Sequence, residues 1–149
     1  MGDTAAASFP VRVVLPVEWG EQDAYGHVNN TVYFRWFESA RMEYLRRVGW
    51  RELERETGIG PILHSTSARF RAPLEWPDEI EVATRVVDVE HDRFTMLYEV
   101  WSRKLGRLVC EGSGMIVAYD YRAGSKAPLP APVRARIENL EAVISRGES

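Results

Sequence analysis

Residues 31–48 limit what this chain can fold into more than any other stretch. The run contains neither glycine nor proline, and it spreads Val32, Phe34, Trp36, Phe37, Ala40, Tyr44, Leu45 and Val48 over more than one helical stripe. Without a breaker the run predicts a helix, and a helix that is apolar around most of its girth must be enclosed by more than one neighbour. A flat partner would leave part of that girth in water, so the pattern predicts a sheet curled around a central helix. Gly49 ends the helix, and Gly58, Gly60 and Pro61 mark a loop before the second half of the chain.

The flanking periodicity supplies that sheet. Val11, Val13, Leu15 and Val17 recur at every second position, the pattern of a strand with one mostly buried face. From Ile62 the period is again two, through segments 62–71, 79–90, 93–103 and 107–121. The breaks between them, at 73–78, at His91 with Asp92 and at Lys104 with Gly106, are short enough for an antiparallel meander with two tight hairpins. Residues 124–132 read as a proline-rich linker, and Val133, Ile137, Leu140 and Ile144 as one face of a short amphipathic closing helix. The expected class is α+β, with about five antiparallel strands wrapped around one long helix. A length of 149 residues with 45% hydrophobic content fits one domain spanning 1–149, with a loose start over residues 1–8 and a closing segment over 124–149.

Composition narrows the function classes. Nineteen basic residues against 22 acidic ones leave a net charge of -3, without the overall basicity that nucleic-acid binding needs. One cysteine, Cys110, excludes an internal disulfide framework, and three histidines give no Cys/His set at zinc-site spacing, so no metal is expected. No segment approaches the roughly 20 apolar residues of a membrane helix, and residues 1–8 lack the basic start and apolar stretch of a secretion signal. A cytoplasmic protein is expected.

Chemistry concentrates in residues 22–30, where Gln22, Asp23, Ala24, Tyr25, Gly26, His27, Val28, Asn29 and Asn30 put a carboxylate, an imidazole and several carboxamides between a strand and a helix. A structural connection needs only a turn residue and a helix cap, which Asn30 or Thr31 can supply. The first amides of a helix lack intrahelical acceptors and carry about half a positive charge, so a carbonyl oxygen docked near Asn29 and Asn30 would be polarised. Such donors form an oxyanion hole, each worth about 10²- to 10³-fold in rate. Asp23 then stands where a carboxylate can deprotonate a water or attack the acyl carbon, and Gly26 permits the bend that brings it close.

The residues Trp19-Gly20, Asp23, Gly26-His27-Val28-Asn29-Asn30, Tyr33, Trp36-Phe37-Glu38 and Ala40-Arg41 resemble the hotdog-fold acyl-CoA thioesterases of the 4-hydroxybenzoyl-CoA thioesterase group, including their acyl-acyl-carrier-protein relatives. The resemblance follows the element order of most of the chain, and its specific part lies in residues 19–41. It implies that Asp23 is the catalytic carboxylate, that amides near Asn30 activate the thioester carbonyl, and that His27 and Asn29 support Asp23 or position the acyl group. It also implies dimers joined through their sheets, with the site at the subunit boundary, and in many members a further pairing into tetramers. Plant acyl-carrier-protein thioesterases with a similar motif carry an asparagine two positions after the aspartate. Tyr25 stands there in this chain, which favours Asp23 as base or nucleophile.

Other residues have both a functional and an ordinary reading. Tyr25, Gly26 and Tyr33 are candidate substrate contacts, although a helical tyrosine is more often core. His64, Ser65 and Thr66, with Ser67, interrupt the second strand where the resembled fold approaches the opposing subunit's site, or are plain solvent-facing polar residues. The phosphates of coenzyme A, which enters only as part of the substrate, would need basic groups such as Arg69, Arg71, Arg103, Lys104 and Arg107. A charged hairpin tip accounts equally well for Arg103 and Lys104. Glu38 and Arg41, three apart, are expected to form an intrahelical pair, and Cys110 to be packing. The expected activity is hydrolysis of an acyl thioester with no other cofactor, and the expected partner a second copy of the chain, with no nucleic acid or membrane. The alternatives are a non-catalytic acyl-CoA-binding or regulatory protein of the same fold, which would release no thiol, and the fold's hydratase branch, whose usual loop asparagine and proline are missing near Asp23.

Overall fold

The computed structural model describes residues 8–145, with side chains described through residue 143. Residues 1–7 of the expected loose start, and the Ile144 side chain of the expected closing face, lie outside that description. The chain runs β1 (Val11–Pro16), a 3-10 turn (Trp19–Glu21), α1 (Asn30–Arg47), α2 (Trp50–Thr57), β2 (Ile59–Phe70), β3 (Glu79–Val87), β4 (Arg93–Ser102), β5 (Arg107–Asp120), β6 (Ser125–Lys126) and α3 (Ala131–Ser145). One antiparallel sheet, ordered β1-β3-β4-β5-β2 with β6 added beside β5, curls around α1. This is the expected α+β hotdog architecture.

The apolar girth of α1 explains the curl. Val32, Tyr33, Trp36, Phe37, Ala40, Tyr44 and Leu45 are all buried, against inward-facing Ile80, Val82 and Val86 of β3, Phe94, Met96, Tyr98 and Val100 of β4, and Cys110 and Ile116 of β5. Removing each such side chain from water contributes about 1.5–3 kcal/mol before the entropy of ordering it is subtracted. Gly112 makes the closest approach possible: a Cβ there would run into the Phe37 ring edge and lie 2.7 Å from Ser67 O.

Three expectations are corrected. The strands after α1 do not form a four-strand meander. β3, β4 and β5 do, but β2 pairs with β5 at the far edge (Phe70 opposite Cys110, Ile59 opposite Asp120), while β1 takes the place beside β3. Enclosing α1 requires edge strands on both of its flanks, and alternation records which side of a strand is apolar, not which strand lies next to it. The loop expected at Gly58, Gly60 and Pro61 is instead mostly the start of β2, and ahead of it the chain forms a second helix, α2, set between Gly49 (φ 67°) and Gly58 (φ 80°). Only Trp50 of that helix is buried, so it carries no apolar stripe to announce it. β2 starts at Ile59, with Pro61 inside it, which an edge strand tolerates because one side of its ladder is unpaired. The segment read as a linker contains β6 and the start of α3, with Pro132 in the helix's first turn, where its missing N–H costs nothing.

Candidate active site

Between the 3-10 turn and α1 the chain folds back on itself. Gln22 and Val28 form an isolated antiparallel bridge, the Asp23 N–H donates to His27 O at 2.7 Å, and the Gly26 N–H to Asp23 O at 3.0 Å. Gly26 sits at φ 81°, a conformation a side chain makes costly. Inside this loop the Asp23 carboxylate is held by one oxygen: Oδ1 accepts the Tyr25 N–H at 2.8 Å and the His27 N–H at 3.3 Å. Among the described residues nothing bonds Oδ2.

Segment 71–78 braces the loop from the side. Leu74 O accepts the Val28 N–H at 2.8 Å, Gln22 Oε1 accepts the Trp76 N–H at 3.2 Å, and His27 Nε2 lies 3.7 Å from Glu75 Oε2. The His27 imidazole therefore faces Glu75, and its link to Asp23 runs through its backbone N–H. Glu75 was not singled out in the sequence, where nothing joins it to a loop so far along the chain, and Gln22 was read only as the first residue of that loop.

The cap of α1 is Asn29, not Asn30 or Thr31. With φ -63° and ψ 140°, Asn29 is still extended, so its Oδ1 can accept both the Thr31 N–H and the Thr31 hydroxyl at 2.9 Å. Asn29 O takes the Val32 N–H at 2.9 Å. The Asn30 N–H is left without an acceptor among the described residues, at the positive end of the helix dipole. A fixed carboxylate with one unbonded oxygen and an unengaged helix-start amide thus sit a few residues apart in one short segment.

The remaining candidates are dispersed. Tyr25 is 87% exposed. Tyr33 is enclosed in the core, edge-on to Trp36 and Phe70 with centroids 5.0 Å away, and burial, helped by Cys110, pushes its hydroxyl well above the ordinary phenol range. His64, Ser65 and Thr66 are exposed on β2; His64 falls at a bulge between Leu63 and Ser65, and the Thr66 hydroxyl donates to Ser113 O at 3.0 Å. Arg69 and Arg71 line a groove of about 350 Å³ with Ser67, Ser113 and Glu111, where Arg71 Nε donates to Glu111 Oε2 at 2.5 Å. Arg71 also borders a groove with Trp101 and Arg107. Arg103, on the β4–β5 turn, pairs with Glu79 at 2.6 Å, and Lys104 beside it donates its N–H to Asp78 Oδ1 at 3.0 Å. Cys110 is fully buried, and burial, with Glu111 nearby, pushes its thiol up to about 12, leaving almost no thiolate near neutral pH.

The expected Glu38–Arg41 pair does not form. Arg41 turns under α1 and donates to the Tyr98 hydroxyl at 3.1 Å, beside the stack of Phe37 on Tyr98 at 4.5 Å. Packing of the aromatic floor, not helical spacing, decides where that guanidinium goes.

The profile of the thioesterase-like superfamily matches residues 17–137. The chain belongs to that superfamily. A solved thioesterase of Thermus thermophilus, in complex with coenzyme A and zinc, is 31% identical, with a TM-score of 0.80 over 91% of this chain and 96% of the other. A DHNA-CoA thioesterase of Staphylococcus aureus shares the fold at 21% identity, with a TM-score of 0.80 over 93% of this chain and 95% of that one. Over 90 residues, 60% of this chain and 70% of the relative, it is 32% identical to an Aquifex aeolicus (strain VF5) protein named as a candidate esterase. Superfamily and neighbours support thioester hydrolysis as its chemistry. Among the described residues no helix is long and apolar enough to cross a membrane, and no group of three or more His, Cys, Asp or Glu could hold a metal ion.

Proposed function

We propose that the chain hydrolyses acyl-CoA or acyl-carrier-protein thioesters to a carboxylic acid and a thiol, with Asp23 as general base or nucleophile. The observation that carries this reading is the asymmetric hold on the Asp23 carboxylate, Oδ1 bonded to two backbone N–H groups and Oδ2 free. That arrangement fixes the carboxylate's direction while leaving one oxygen to take a proton from water or to attack the acyl carbon. The Asn30 amide, unengaged at the start of α1, is the donor for the developing oxyanion. Asn29 positions that amide by capping the helix, and His27 contributes the backbone N–H that orients Asp23. Tyr25 and Gly26 lie against the acyl group on the loop's exposed side, and the phosphates of coenzyme A meet the basic groups Arg69, Arg71, Arg103 and Lys104.

Asp23 and its loop neighbours are exposed in a single chain, and a water-excluded site needs a second wall. Among the described residues the outer edge of β2 is unpaired, and residues 62–67 are exposed on both faces of that strand. Two copies joined there, as a dimer or a dimer of dimers, would close the site and bring His64, Ser65 and Thr66 toward the partner's loop.

Asp23→Asn should fold as the wild type does and lose most thiol release, by about 10²-fold or more, in a DTNB assay against a panel of acyl-CoA and acyl-carrier-protein thioesters. Undiminished turnover in that variant would sink the assignment. A wild-type protein that binds the panel without releasing thiol would instead favour the non-catalytic acyl-CoA-binding reading.

A further inference from the structure

The β4–β5 hairpin carries cations that the chain itself does not match. Arg107 donates Nε only to its neighbour's carbonyl, Leu108 O, at 3.2 Å, and among the described residues neither Arg107 nor Lys104 has a carboxylate partner. Arg107 opens onto a shallow groove of about 520 Å³, which Arg71, Trp101, Gly106, Leu108 and Glu111 line with it. That volume falls within the usual range of about 300–1,000 Å³ for small-molecule sites. The one carboxylate there, Glu111, is already held by Arg71 Nε at 2.5 Å, so the groove keeps a surplus positive charge.

Its aromatic wall is held in place. Trp101 lies where β5 inserts Val109 opposite the step from Val100 to Trp101, and a bulge of this kind re-aims the side chains beside it. The indole Nε1 donates to Glu99 Oε1 at 2.9 Å, and the side chain packs against the small cluster of Phe9 and Ala83 while staying part-exposed. A fixed indole beside a free guanidinium suits a purine base that carries phosphate. The base stacks on the ring, and the phosphate takes charge-assisted bonds.

The groove stands at the active-site end of the sheet. Val109 O accepts the Arg71 and Ala72 N–H groups at 2.7 and 3.2 Å, which joins the groove to the start of segment 71–78. The Lys104 N–H bonds Asp78 Oδ1, which joins the hairpin to the segment's other end. Between them Leu74 O takes the Val28 N–H of the Asp23 loop.

We propose that this groove takes the phosphorylated adenosine of coenzyme A, with adenine against Trp101 and phosphates beside Arg71 and Arg107, while the pantetheine arm runs along residues 71–78 to Asp23. The proposal rests on the thioester reading of the Asp23 loop, and it adds Trp101 and Arg107 to the basic groups named for the phosphates. It also selects coenzyme A over a carrier protein, whose phosphopantetheine arm has no base to stack.

Two measurements on the full chain test it. Calorimetric titration with adenosine 3′,5′-bisphosphate, which has no thioester, reads the groove whatever Asp23 does. Wild type should bind it, Arg107→Gln and Trp101→Leu should each bind about 10-fold more weakly, and Trp101→Phe, which keeps an aromatic face, should lose less. The second measurement is the ratio of kcat/KM for an acyl-CoA to that for the same acyl group on pantetheine. Wild type should favour the acyl-CoA, and Arg107→Gln should lower the ratio about 10-fold through KM. Trp101 also packs on Phe9, so if circular dichroism shows Trp101→Leu unfolded, Arg107→Gln decides. A bisphosphate that wild type does not bind, or that Arg107→Gln binds as tightly, overturns the site. A wild type that cleaves acyl-pantetheine as well as acyl-CoA, or that prefers an acyl-carrier-protein thioester, overturns it too. Bisphosphate binding that weakens in Arg107→Gln, with no thiol released from any thioester, leaves the groove standing and overturns only the hydrolytic reading.

Discussion

At the scale of single residues, the absence of a side chain at Gly112 governs how closely α1 lies on the sheet. The Phe37 ring rests on the β5 backbone there and stacks in turn on Tyr98 at an interplanar angle of 7°. Gly112→Ala would push a methyl group into Phe37 and toward Ser67 O, and that oxygen belongs to the β2–β5 ladder and cannot retreat alone. Overpacking of this kind costs about 1–3 kcal/mol, read as a lower denaturation midpoint, and Phe37→Leu in the same background should recover part of the loss. A Gly112→Ala protein as stable as wild type would show that Phe37 does not seat on β5. Nothing in the sequence marks this glycine among its neighbours, since the ring that needs it is far away along the chain. The bend at Gly26 and a helix cap ahead of α1 were legible, because a positive φ and a cap are made within a few residues, although the cap falls at Asn29, one residue before the expected Asn30.

At the scale of elements, α3 closes what β1 leaves open. β1 stops pairing at Val11 opposite Thr84, so the Val86 N–H of β3 lies past its end. Glu141 of α3 takes that N–H at 2.8 Å and, with the same oxygen, the buried Tyr44 hydroxyl of α1 at 2.6 Å. Burial and that carboxylate together hold the Tyr44 hydroxyl far above the usual phenol range. Arg136 donates to Val48 O just past the end of α1 at 3.0 Å. Glu141→Ala leaves two donors unmatched and should cost about 1–3 kcal/mol, with faster hydrogen exchange at the Val86 amide as the local sign. Glu141→Gln keeps an acceptor and should cost less. Unchanged exchange at Val86 in Glu141→Ala would mean that α3 does not close the sheet edge. The apolar face of α3 was readable from its spacing, and Val133 and Ile137 are buried. The grip of Glu141 was not, because a carboxylate on a helix reads as solvated until the fold places a sheet edge beneath it.

At the scale of the whole molecule, the twelve-residue strand β2 ends the sheet with an edge that is open among the described residues and with Ile62, Leu63 and Phe70 each about two-fifths exposed. Natural proteins rarely leave so long an edge bare. If a second copy completes the site, thiol release per chain should fall on dilution in step with the dimer fraction and return on concentration. Turnover per chain that stays constant while sedimentation shows dissociation would mean that one chain suffices. The sequence by itself determined the long enclosed helix, the period-two strands and the dense loop ahead of the helix, because periodicity and near-neighbour hydrogen bonds are local. Only the tertiary structure decided that β2 lies beside β5, that Arg41 turns to Tyr98 instead of Glu38, that Tyr33 faces the core and that His27 faces Glu75. Those partners are separated along the chain or chosen by packing, and a one-dimensional pattern records that a group will be buried without naming what it will touch.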